Sequence, residues 1–207
     1  MLVVCAGTGT DVGKTWVGIE TLRAARAAGL SVAARKPVQS FDPDDPHPTD
    51  AAALAAATGE SPQDVCPGHR SYPVAMAPPM AAEALGQEPP TMAALVAETV
   101  WPTPSPQLRW VESAGGVRSP LASDGDTVAL CQQISPDLVV LVADAGLGAI
   151  NAVRLAVSAL DNHQVVVYLN RFDDSRDLHQ VNQRWLASRD RLRLATVTVD
   201  LLSLLDP

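Results

Sequence analysis

The chain has 207 residues, of which 47% are hydrophobic, and this composition excludes a disordered protein. Aromatic residues make up only 4%, so alanine, valine and leucine must fill the core. The 23 acidic residues outnumber the 15 basic ones and give a formal charge of −8, so we expect neither nucleic acid nor an anionic membrane surface as a partner, because both bind clustered lysine and arginine.

Apolar runs alternate with segments of helical spacing along the chain. The predicted strands are 2–6, 31–38, 108–112, 138–142, 164–169 and a last one near 193–199. The predicted helices are 14–28, 50–58, 74–86, 90–100, 126–134, 149–161 and 177–189, and residues 59–73 are predicted to be irregular. Strands separated by helices require crossover connections, so we predict an α/β protein with a parallel sheet, forming a single domain over 1–207.

The predicted junction of the first strand and first helix, residues 7–15, carries the clearest chemical signal. It reads Gly-Thr-Gly-Thr-Asp-Val-Gly-Lys-Thr, and glycines before a helix N-terminus let backbone N–H groups bind phosphate oxygens. Lys14 would neutralise the β- and γ-phosphates, and the Thr15 hydroxyl would ligate Mg²⁺. Gly7 lies one residue further from Gly13 than the simple pattern requires, and the alternative is a glycine turn followed by a solvated lysine.

Charged residues near predicted element ends extend this site. Lys36 ends the second strand, at the sheet edge where ligands of open α/β folds bind, although a solvated lysine is the alternative. Asp50 and Glu112 are candidate carboxylates for Mg²⁺, which takes one or two of them together with hydroxyl and phosphate oxygens; Asp50, like Thr49, is alternatively a helix cap. Asp11 beside a triphosphate indicates a nearby amine-bearing substrate, or else an ordinary turn.

Two further segments are ambiguous by themselves. Residues 146–151 open a predicted helix and could present N–H groups to an anion, with a capped turn as the alternative. Asn170 ends a predicted strand at the same sheet edge, where its amide could read a base or simply form a turn. The sequence alone leaves both alternatives open.

Taken together, these segments resemble the dethiobiotin synthetase family, whose own loop has the same extra residue after its first glycine. The resemblance covers residues 2 to 170 and implies a three-layer P-loop NTPase-like α/β fold with a mainly parallel sheet flanked by helices. It depends on the order and spacing of segments 7–15, 36–38, 49–54, 111–116 and 148–151.

The resemblance also implies an ATP-dependent cyclo-ligase reaction. One amine of 7,8-diaminopelargonic acid takes up CO₂ as a carbamate, which attacks the γ-phosphate of ATP and forms a carbamic–phosphoric anhydride. The second amine closes the ureido ring of dethiobiotin and expels phosphate. Further implications are Mg²⁺ as cofactor, a homodimer with substrate sites at its interface, and a cytoplasmic enzyme, in accord with three cysteines of unpaired spacing.

Roles follow by similarity for individual residues. Lys14 and Lys36 would act on the transferring phosphoryl group, and Thr15, Asp50 and Glu112 would hold Mg²⁺. The implied nucleotide-binding residues are Asp11, Val12, Gly13, Lys14, Thr15, Glu112 and Asn170. The implied substrate-binding residues are Thr10, Asp11, Lys36 and Ser40, with backbone N–H groups of Leu147, Gly148, Ala149, Ile150 and Asn151 lent by the partner subunit to the substrate carboxylate.

The sequence departs from the family pattern in three places. Ser113 replaces the glycine of the usual Glu-Gly-Ala-Gly-Gly run and adds bulk where we expect backbone to approach ligand. Gly9 stands where aspartate is common. The family's Leu-Gly-x-Ile-Pro-like stretch, which helps to hold adenine, has no match in 194–200, so Asn170 is the one base-reading residue that can be matched and the nucleotide preference stays open.

Two other functions are compatible with a phosphate-binding loop. A partitioning-type switch ATPase usually carries an extra lysine near the start of the loop, which this chain lacks, and its membrane forms end in a basic amphipathic helix, whereas residues 200–207 are apolar and acidic. A non-catalytic nucleotide-binding module is the third hypothesis. Retention of Lys14, Lys36 and Glu112 argues against that module.

Overall fold

A computed structural model describes residues 1–205 of the chain. The strands are β1 (Leu2–Gly7), β2 (Val32–Arg35), β3 (Gln39–Ser40), β4 (Ser71–Tyr72), β5 (Leu108–Glu112), β6 (Leu138–Asp144), β7 (Val165–Asn170) and β8 (Arg193–Ala195). The helices are α1 (Lys14–Ala27), α2 (Asp50–Thr58), α3 (Pro62–Val65), α4 (Pro78–Ala84), α5 (Met92–Glu98), α6 (Thr127–Ile134), α7 (Ala149–Ala159), α8 (Asp177–Ser188) and α9 (Thr198–Leu205), and a 3₁₀ turn spans Gly68–Arg70.

Six strands form one sheet in the order β2-β5-β1-β6-β7-β8, and every neighbouring pair is parallel. The predicted α/β class is confirmed. In register, Cys5 of β1 lies opposite Glu112 of β5, and Asp144 of β6 lies opposite Asn170 of β7. The carboxyl ends of all six strands therefore meet at one edge. The short strands β3 and β4 pair in parallel beside this sheet.

Helices cover both faces of the sheet, which explains why its central strands are continuous apolar runs. One face packs α1, α2 and α9 through residues such as Val17, Leu54 and Leu201. The other face packs α5 to α8, with Leu95 and Leu186 among the buried residues. Within residues 1–205, no helix is both long enough and apolar enough to cross a bilayer.

The predicted second strand, 31–38, is wrong beyond Arg35. The N–H of Lys36 donates to the carbonyl of Val65 at 2.8 Å and not to a sheet strand, and Pro37 has no N–H to donate. The chain therefore leaves the main sheet and pairs again as β3 with β4. The expected irregular region 59–73 accordingly holds α3, the 3₁₀ turn and β4.

The last predicted strand ends at Ala195 rather than near 199, and the helix α9 was missed. Its β-branched start favoured a strand. Leu201 and Leu205, four residues apart on one helix face, are both buried against α1 and β8, and this packing overrides the local preference. Of the tail interpreted above, residues 206 and 207 lie outside the described residues.

We expect Leu201→Ala to destabilise the fold by about 2–5 kcal/mol, because it removes a fully buried side chain and leaves a cavity. Val199→Ala, which truncates a side chain that is 74% exposed on the same helix, should change the free energy of unfolding by less than about 0.5 kcal/mol. Urea unfolding measures both. Equal effects of the two variants would contradict the packing of α9.

Candidate functional site

The loop between β1 and α1 is shaped to hold an anion. Asp11 and Gly13 have positive φ angles of 58° and 93°, and, within the described chain, no side chain caps the start of α1. A Cβ on Gly7 would lie 2.8 Å from the Gly9 carbonyl, so the tight curl requires glycine there. The Lys14 ammonium donates to that carbonyl at 3.2 Å. Free N–H groups and a cation therefore face one concavity.

Four predicted residues meet directly beside this loop, and we call Thr15, Lys36, Asp50 and Glu112 the charged cluster. The Thr15 hydroxyl lies 2.7 Å from Asp50 Oδ1 and 2.9 Å from Glu112 Oε1. The Lys36 ammonium donates to Glu112 Oε1 at 2.7 Å and lies 2.6 Å from Asp50 Oδ2. The expectation that these residues come together is met by the geometry.

The fold brings these side chains together because each stands where an element starts or ends at the carboxyl edge. Thr49 is the cap of α2, since its hydroxyl accepts from the Ala52 N–H, and Asp50 is therefore free to face the loop. Glu112 ends β5 directly opposite Cys5 of β1. Thr49, and not Asp50, is therefore the residue that caps α2.

Opposite charges offset the burial of the cluster. Lys36 and Glu112 are 2% and 0% exposed. Burial favours the uncharged lysine, but Glu112 and Asp50 together raise the pKa of Lys36 well above its ordinary value. Burial raises the pKa of Glu112, although Lys36 opposes this. Burial also opposes ionisation of Asp50, but Lys36 and the Thr15 hydroxyl hold its pKa below the ordinary value.

Lys14 responds differently from Lys36. Its burial and the neighbouring Lys36 charge lower its pKa from the ordinary value, and the negative charges of Glu112 and Asp50 only partly compensate. An additional negative charge next to Lys14 would therefore favour its charged form. A bound polyphosphate would supply that charge.

The cluster has the donor set that Mg²⁺ prefers. Glu112 Oε2 is buried and has no hydrogen-bond partner within residues 1–205, which is costly unless a cation or water binds it. The Thr15 hydroxyl and Asp50 add two more oxygen donors. No group of three or more His, Cys, Asp or Glu side chains positioned to hold a metal occurs in that range, so further ligands must be water or phosphate, as is usual for Mg²⁺.

A cavity of about 790 Å³ opens from the loop and from Thr15, Lys36 and Asp50 of the charged cluster, whereas the fully buried Glu112 does not line it. The predicted residues that line it are Thr10, Asp11, Gly13, Lys14, Thr15, Lys36, Ser40 and Asp50. The lining residues that sequence reasoning did not single out include Gln39, Phe41, Asp45, His47, Met76, Ser119 and Arg171. Most of these residues follow β3 or precede α4. The pairing of β3 with β4, which brings these two segments together, was not predicted from the sequence.

Arg171 is the most informative of the missed residues. Its guanidinium donates to the Asp11 carbonyl at 2.8 Å and to Asp144 Oδ2 at 2.9 Å. The adjacent Asn170 donates from Nδ2 to the Val12 carbonyl at 2.9 Å. Both residues at the end of β7 therefore hold the phosphate-binding loop in shape. In the sequence, the one feature that could have pointed to Arg171 is its position as a charged residue directly after a strand that ends at the shared edge of the sheet.

Ser113, whose bulk was expected where backbone approaches ligand, is not among the residues that line the cavity. It is 1% exposed, and its N–H donates to the Cys5 carbonyl at 3.0 Å, which continues the pairing of β5 with β1. The lining residues at this point are Ala114 and Gly115. The close approach occurs at Gly116, where a Cβ would lie 3.4 Å from Gly9 Cα.

The predicted carboxylate-binding segment, 147–151, stands apart from the cavity. It forms the start of α7 after β6, and none of its residues is among the residues that line the cavity. Leu147 is 92% exposed. Gly148 takes the N-cap position with φ 92°, and no side chain of the described residues caps the helix. Within one chain, the structure does not bring this segment to the charged cluster.

We expect Asp50→Asn to lower the free energy of unfolding by about 1 kcal/mol at neutral pH, because it removes one partner of Lys36; the figure is modest because the side chain is 43% exposed and screened by water. The pKa of Asp50 in the folded protein lies below its ordinary value of about 3.9. The ionised carboxylate therefore stabilises the fold above that pH, and this stabilisation is lost as the pH falls through the folded pKa. The difference from wild type should therefore shrink as the pH falls below about 4.

Urea unfolding at a series of pH values measures this difference. The control is Asp42→Asn, an exposed carboxylate of the adjacent loop that accepts the Asp44 N–H. A difference for Asp50→Asn that stays constant from neutral pH to pH 3 or so would contradict the ion pair with Lys36.

Comparisons with known proteins give one consistent result. The family model described as AAA domain matches residues 2–185. The ATP-dependent dethiobiotin synthetase BioD of Caulobacter vibrioides (strain NA1000 / CB15N) is 40% identical over 159 residues, which are 75% of this chain and 71% of that protein. The protein of the same name from Phenylobacterium zucineum (strain HLK1) is 37% identical over 168 residues, covering 78% and 71%.

The solved structures that superpose on this chain share only 13% to 14% sequence identity with it, so they show a common fold and nothing more. The signal recognition particle receptor FtsY from Elizabethkingia anophelis superposes with a TM-score of 0.54 at 13% identity, over 97% of this chain and 60% of that one. The signal recognition particle 54 kDa protein from Aeropyrum pernix K1, in complex with GDP, gives 0.54 at 14% identity, over 96% and 42%.

Proposed function

Because the chain belongs to the dethiobiotin synthetase family of ATP-dependent, C–N bond-forming ligases of biotin biosynthesis, we propose that it converts 7,8-diaminopelargonic acid, CO₂ and ATP to dethiobiotin, ADP and phosphate. The observation that carries this proposal is the charged cluster at the mouth of the anion-binding loop. We further propose that residues 1–207 act as one domain, which the single six-stranded sheet supports over the described residues.

The first part of the proposal is carbamate formation. One amine adds to CO₂, loses a proton and becomes a negatively charged carbamate. Lys36 and the Thr10 hydroxyl line the cavity next to the loop, so a cation and a hydroxyl donor are available to hold that charge. Ser40 lines the same cavity, where its hydroxyl donates to the Met76 carbonyl. The Asp11 carboxylate lines the same cavity and suits an ammonium or amine partner.

The second part is phosphoryl transfer and ring closure. A carbamate oxygen attacks the γ-phosphorus of ATP, and the bond to the β-phosphate oxygen breaks. The second amine then attacks the carbamate carbon, phosphate leaves and a proton is lost. Lys14 and Lys36 neutralise the phosphoryl oxygens throughout, so catalysis is mainly positioning and charge stabilisation. Mg²⁺ held by Thr15, Asp50 and Glu112 would neutralise and align the β- and γ-phosphates.

Two partners complete the proposal. We assign ATP as the nucleotide from the family, with Val12, Gly13 and Asn170 at its site. We also propose a homodimer in which the N–H groups of residues 147–151 bind the substrate carboxylate at the partner's cavity. The exposure of Leu147 and the separation of this segment from its own cavity support a site completed by a second copy.

The experiment on the reaction is phosphate release from ATP with Mg²⁺ and bicarbonate, with and without the diamine. Lys14→Ala should reduce the diamine-dependent rate at least about a hundredfold, because a phosphoryl-stabilising charge is lost. Arg23→Ala, an exposed arginine on the same helix, is the control. Phosphate release at the same rate with and without the diamine would indicate a switch-type ATPase. Nucleotide binding without any binding of the diamine would indicate a non-catalytic module.

For the metal site, we expect Glu112→Gln to raise the Mg²⁺ concentration that gives half-maximal rate by at least about tenfold, since loss of an outer-shell partner alone costs that much affinity. The buried, unpartnered Oε2 is the physical reason. A Mg²⁺ titration of the rate measures this, with Glu83→Gln, an exposed residue of α4, as the matched control. An unchanged titration would reject Glu112 as a ligand.

For the shared site, we expect Lys14→Ala and Asn151→Pro, which removes a backbone N–H in the first turn of α7, to be inactive separately and to recover activity when mixed and allowed to exchange subunits. Each mixed dimer has one cavity with an intact lysine and an intact partner segment, so random exchange returns about a quarter of the wild-type rate. Sedimentation checks that dimers form. An absence of recovery in mixed dimers would reject a site shared between subunits.

A further inference from the structure

A histidine–aspartate pair lines the cavity and has no part in the chemistry above. His47 and Asp45 are both among the lining residues, and the ring nitrogen Nδ1 of His47 lies 2.7 Å from Asp45 Oδ1. The backbone N–H of His47 donates to the same oxygen at 3.0 Å. Asp45 therefore holds both the backbone and the ring of His47. Among the residues that the structure describes, His47 is the one histidine that lines the cavity.

The loop that carries this pair joins the proposed substrate site to the proposed metal site. It follows β3 and ends at Thr49, the cap of α2. The N–H of Phe41, its first residue, donates to the Tyr72 carbonyl at 3.0 Å. Three prolines within the loop, at 43, 46 and 48, restrict its backbone further. The loop is therefore anchored at both ends.

The pairing with Asp45 determines which nitrogen of His47 is basic. The backbone N–H of His47 and then its ring hold the pKa of Asp45 below the ordinary value, so this carboxylate is ionised at neutral pH and only accepts hydrogen bonds. The proton of a neutral imidazole must therefore be on Nδ1, which leaves a lone pair on Nε2. Within residues 1–205, Nε2 of His47 makes no hydrogen bond, and the side chain is 84% exposed. A proton taken up at Nε2 can pass directly to water.

Ring closure of the proposed substrate needs a proton acceptor. Its two amines are on adjacent carbons, and because neighbouring positive charges disfavour each other, one amine is readily free to take up CO₂. Carbamate formation removes this repulsion and leaves the second nitrogen as an ammonium, which has no lone pair and cannot attack. At neutral pH, an alkyl ammonium with an ordinary pKa of about 10.4 is free amine in only on the order of one molecule in a thousand.

The other charged groups that line the cavity are less suited to accept this proton. Against the effect of burial, Glu112 and Asp50 raise the pKa of Lys36 well above its ordinary value, so this lysine is already charged. Arg171 is charged at all relevant pH values, and Lys14 would be bound to phosphate. Carboxylates are much weaker bases than imidazole, whose ordinary pKa lies closest to neutral pH. The groups compared are Asp11, Lys14, Lys36, Asp42, Asp50 and Arg171.

We propose that His47 accepts a proton from the second amine at ring closure, and that Asp45 stabilises the imidazolium that forms. The inference rests on the proposed function, because the diamine is the occupant of the cavity. An N–H bond of the ammonium breaks, its electron pair stays on nitrogen and the proton goes to Nε2. That pair then forms the C–N bond of the ureido ring, and the C–O bond to phosphate breaks. The leaving phosphate takes the second proton of the same nitrogen.

Rapid-quench measurement of ADP and dethiobiotin, formed by the whole chain from MgATP, bicarbonate and the diamine, tests this inference. His47→Ala should slow dethiobiotin formation by about a hundredfold, the lower end of what a general base contributes, while ADP forms in the first turnover as fast as in wild type. His47→Gln, which keeps a polar side chain but cannot take up the proton, should be equally slow. Imidazole added to His47→Ala should restore dethiobiotin formation. Pyrazole, a ring of the same shape but a much weaker base, should not.

His69→Ala is the matched control for the loss of a histidine. His69 also pairs with a carboxylate, since its Nε2 lies 3.1 Å from Glu98 Oε2, and its side chain is 62% exposed, but it is not among the residues that line the cavity. Its removal should leave both rates unchanged.

Three results would overturn the role of His47 alone. Dethiobiotin formation by His47→Ala at the wild-type rate rejects it. Equal slowing of ADP and dethiobiotin formation, or a loss that imidazole does not restore, assigns His47 a structural role instead. A wild-type chain that forms no dethiobiotin would reject the proposed function and this inference together, so the two failures are distinguishable.

Discussion

The ammonium of Lys36 is buried between two carboxylates, and the rest of the site depends on this arrangement. A lone charge at 2% exposure would be prohibitively costly. Glu112 and Asp50 make it tolerable, and through them Thr15 and the start of α1 are held in place. Four separate chain segments thus meet at one point of the sheet edge. Loss of either carboxylate leaves charge uncompensated next to the phosphate-binding loop.

The same arrangement links structure to function through charge. Two lysines face two carboxylates within and beside the cluster, and one carboxylate oxygen of Glu112 has no partner among the described residues. The charged cluster together with Lys14 therefore holds two positive and two negative side chains, and under the proposed function a polyphosphate and a divalent cation would add to these charges together. Arg171 and Asn170 hold the loop backbone from the far side through hydrogen bonds to the Asp11 and Val12 carbonyls.

Much of this could be predicted from sequence because it follows from local chemistry and topology. The glycine-rich loop, Lys14 and Thr15 form a continuous motif, and the parallel sheet then requires that Lys36 and Glu112 share an edge. The split of the second strand at Lys36 depends on a bond to Val65, far along the chain, and α9 depends on burial of Leu201 against α1. Arg171 was missed because only tertiary contacts with Asp11 and Asp144 give it a role. Such contacts leave no periodic signal.

The proposed function requires the enzyme to join carbon dioxide to a diamine with consumption of ATP. Mass spectrometry of the products formed from ¹³C-labelled bicarbonate, 7,8-diaminopelargonic acid and MgATP tests it most directly. We expect a cyclic urea that carries one ¹³C atom and forms at the same rate as phosphate is released. ATP consumption without a labelled cyclic urea would contradict it.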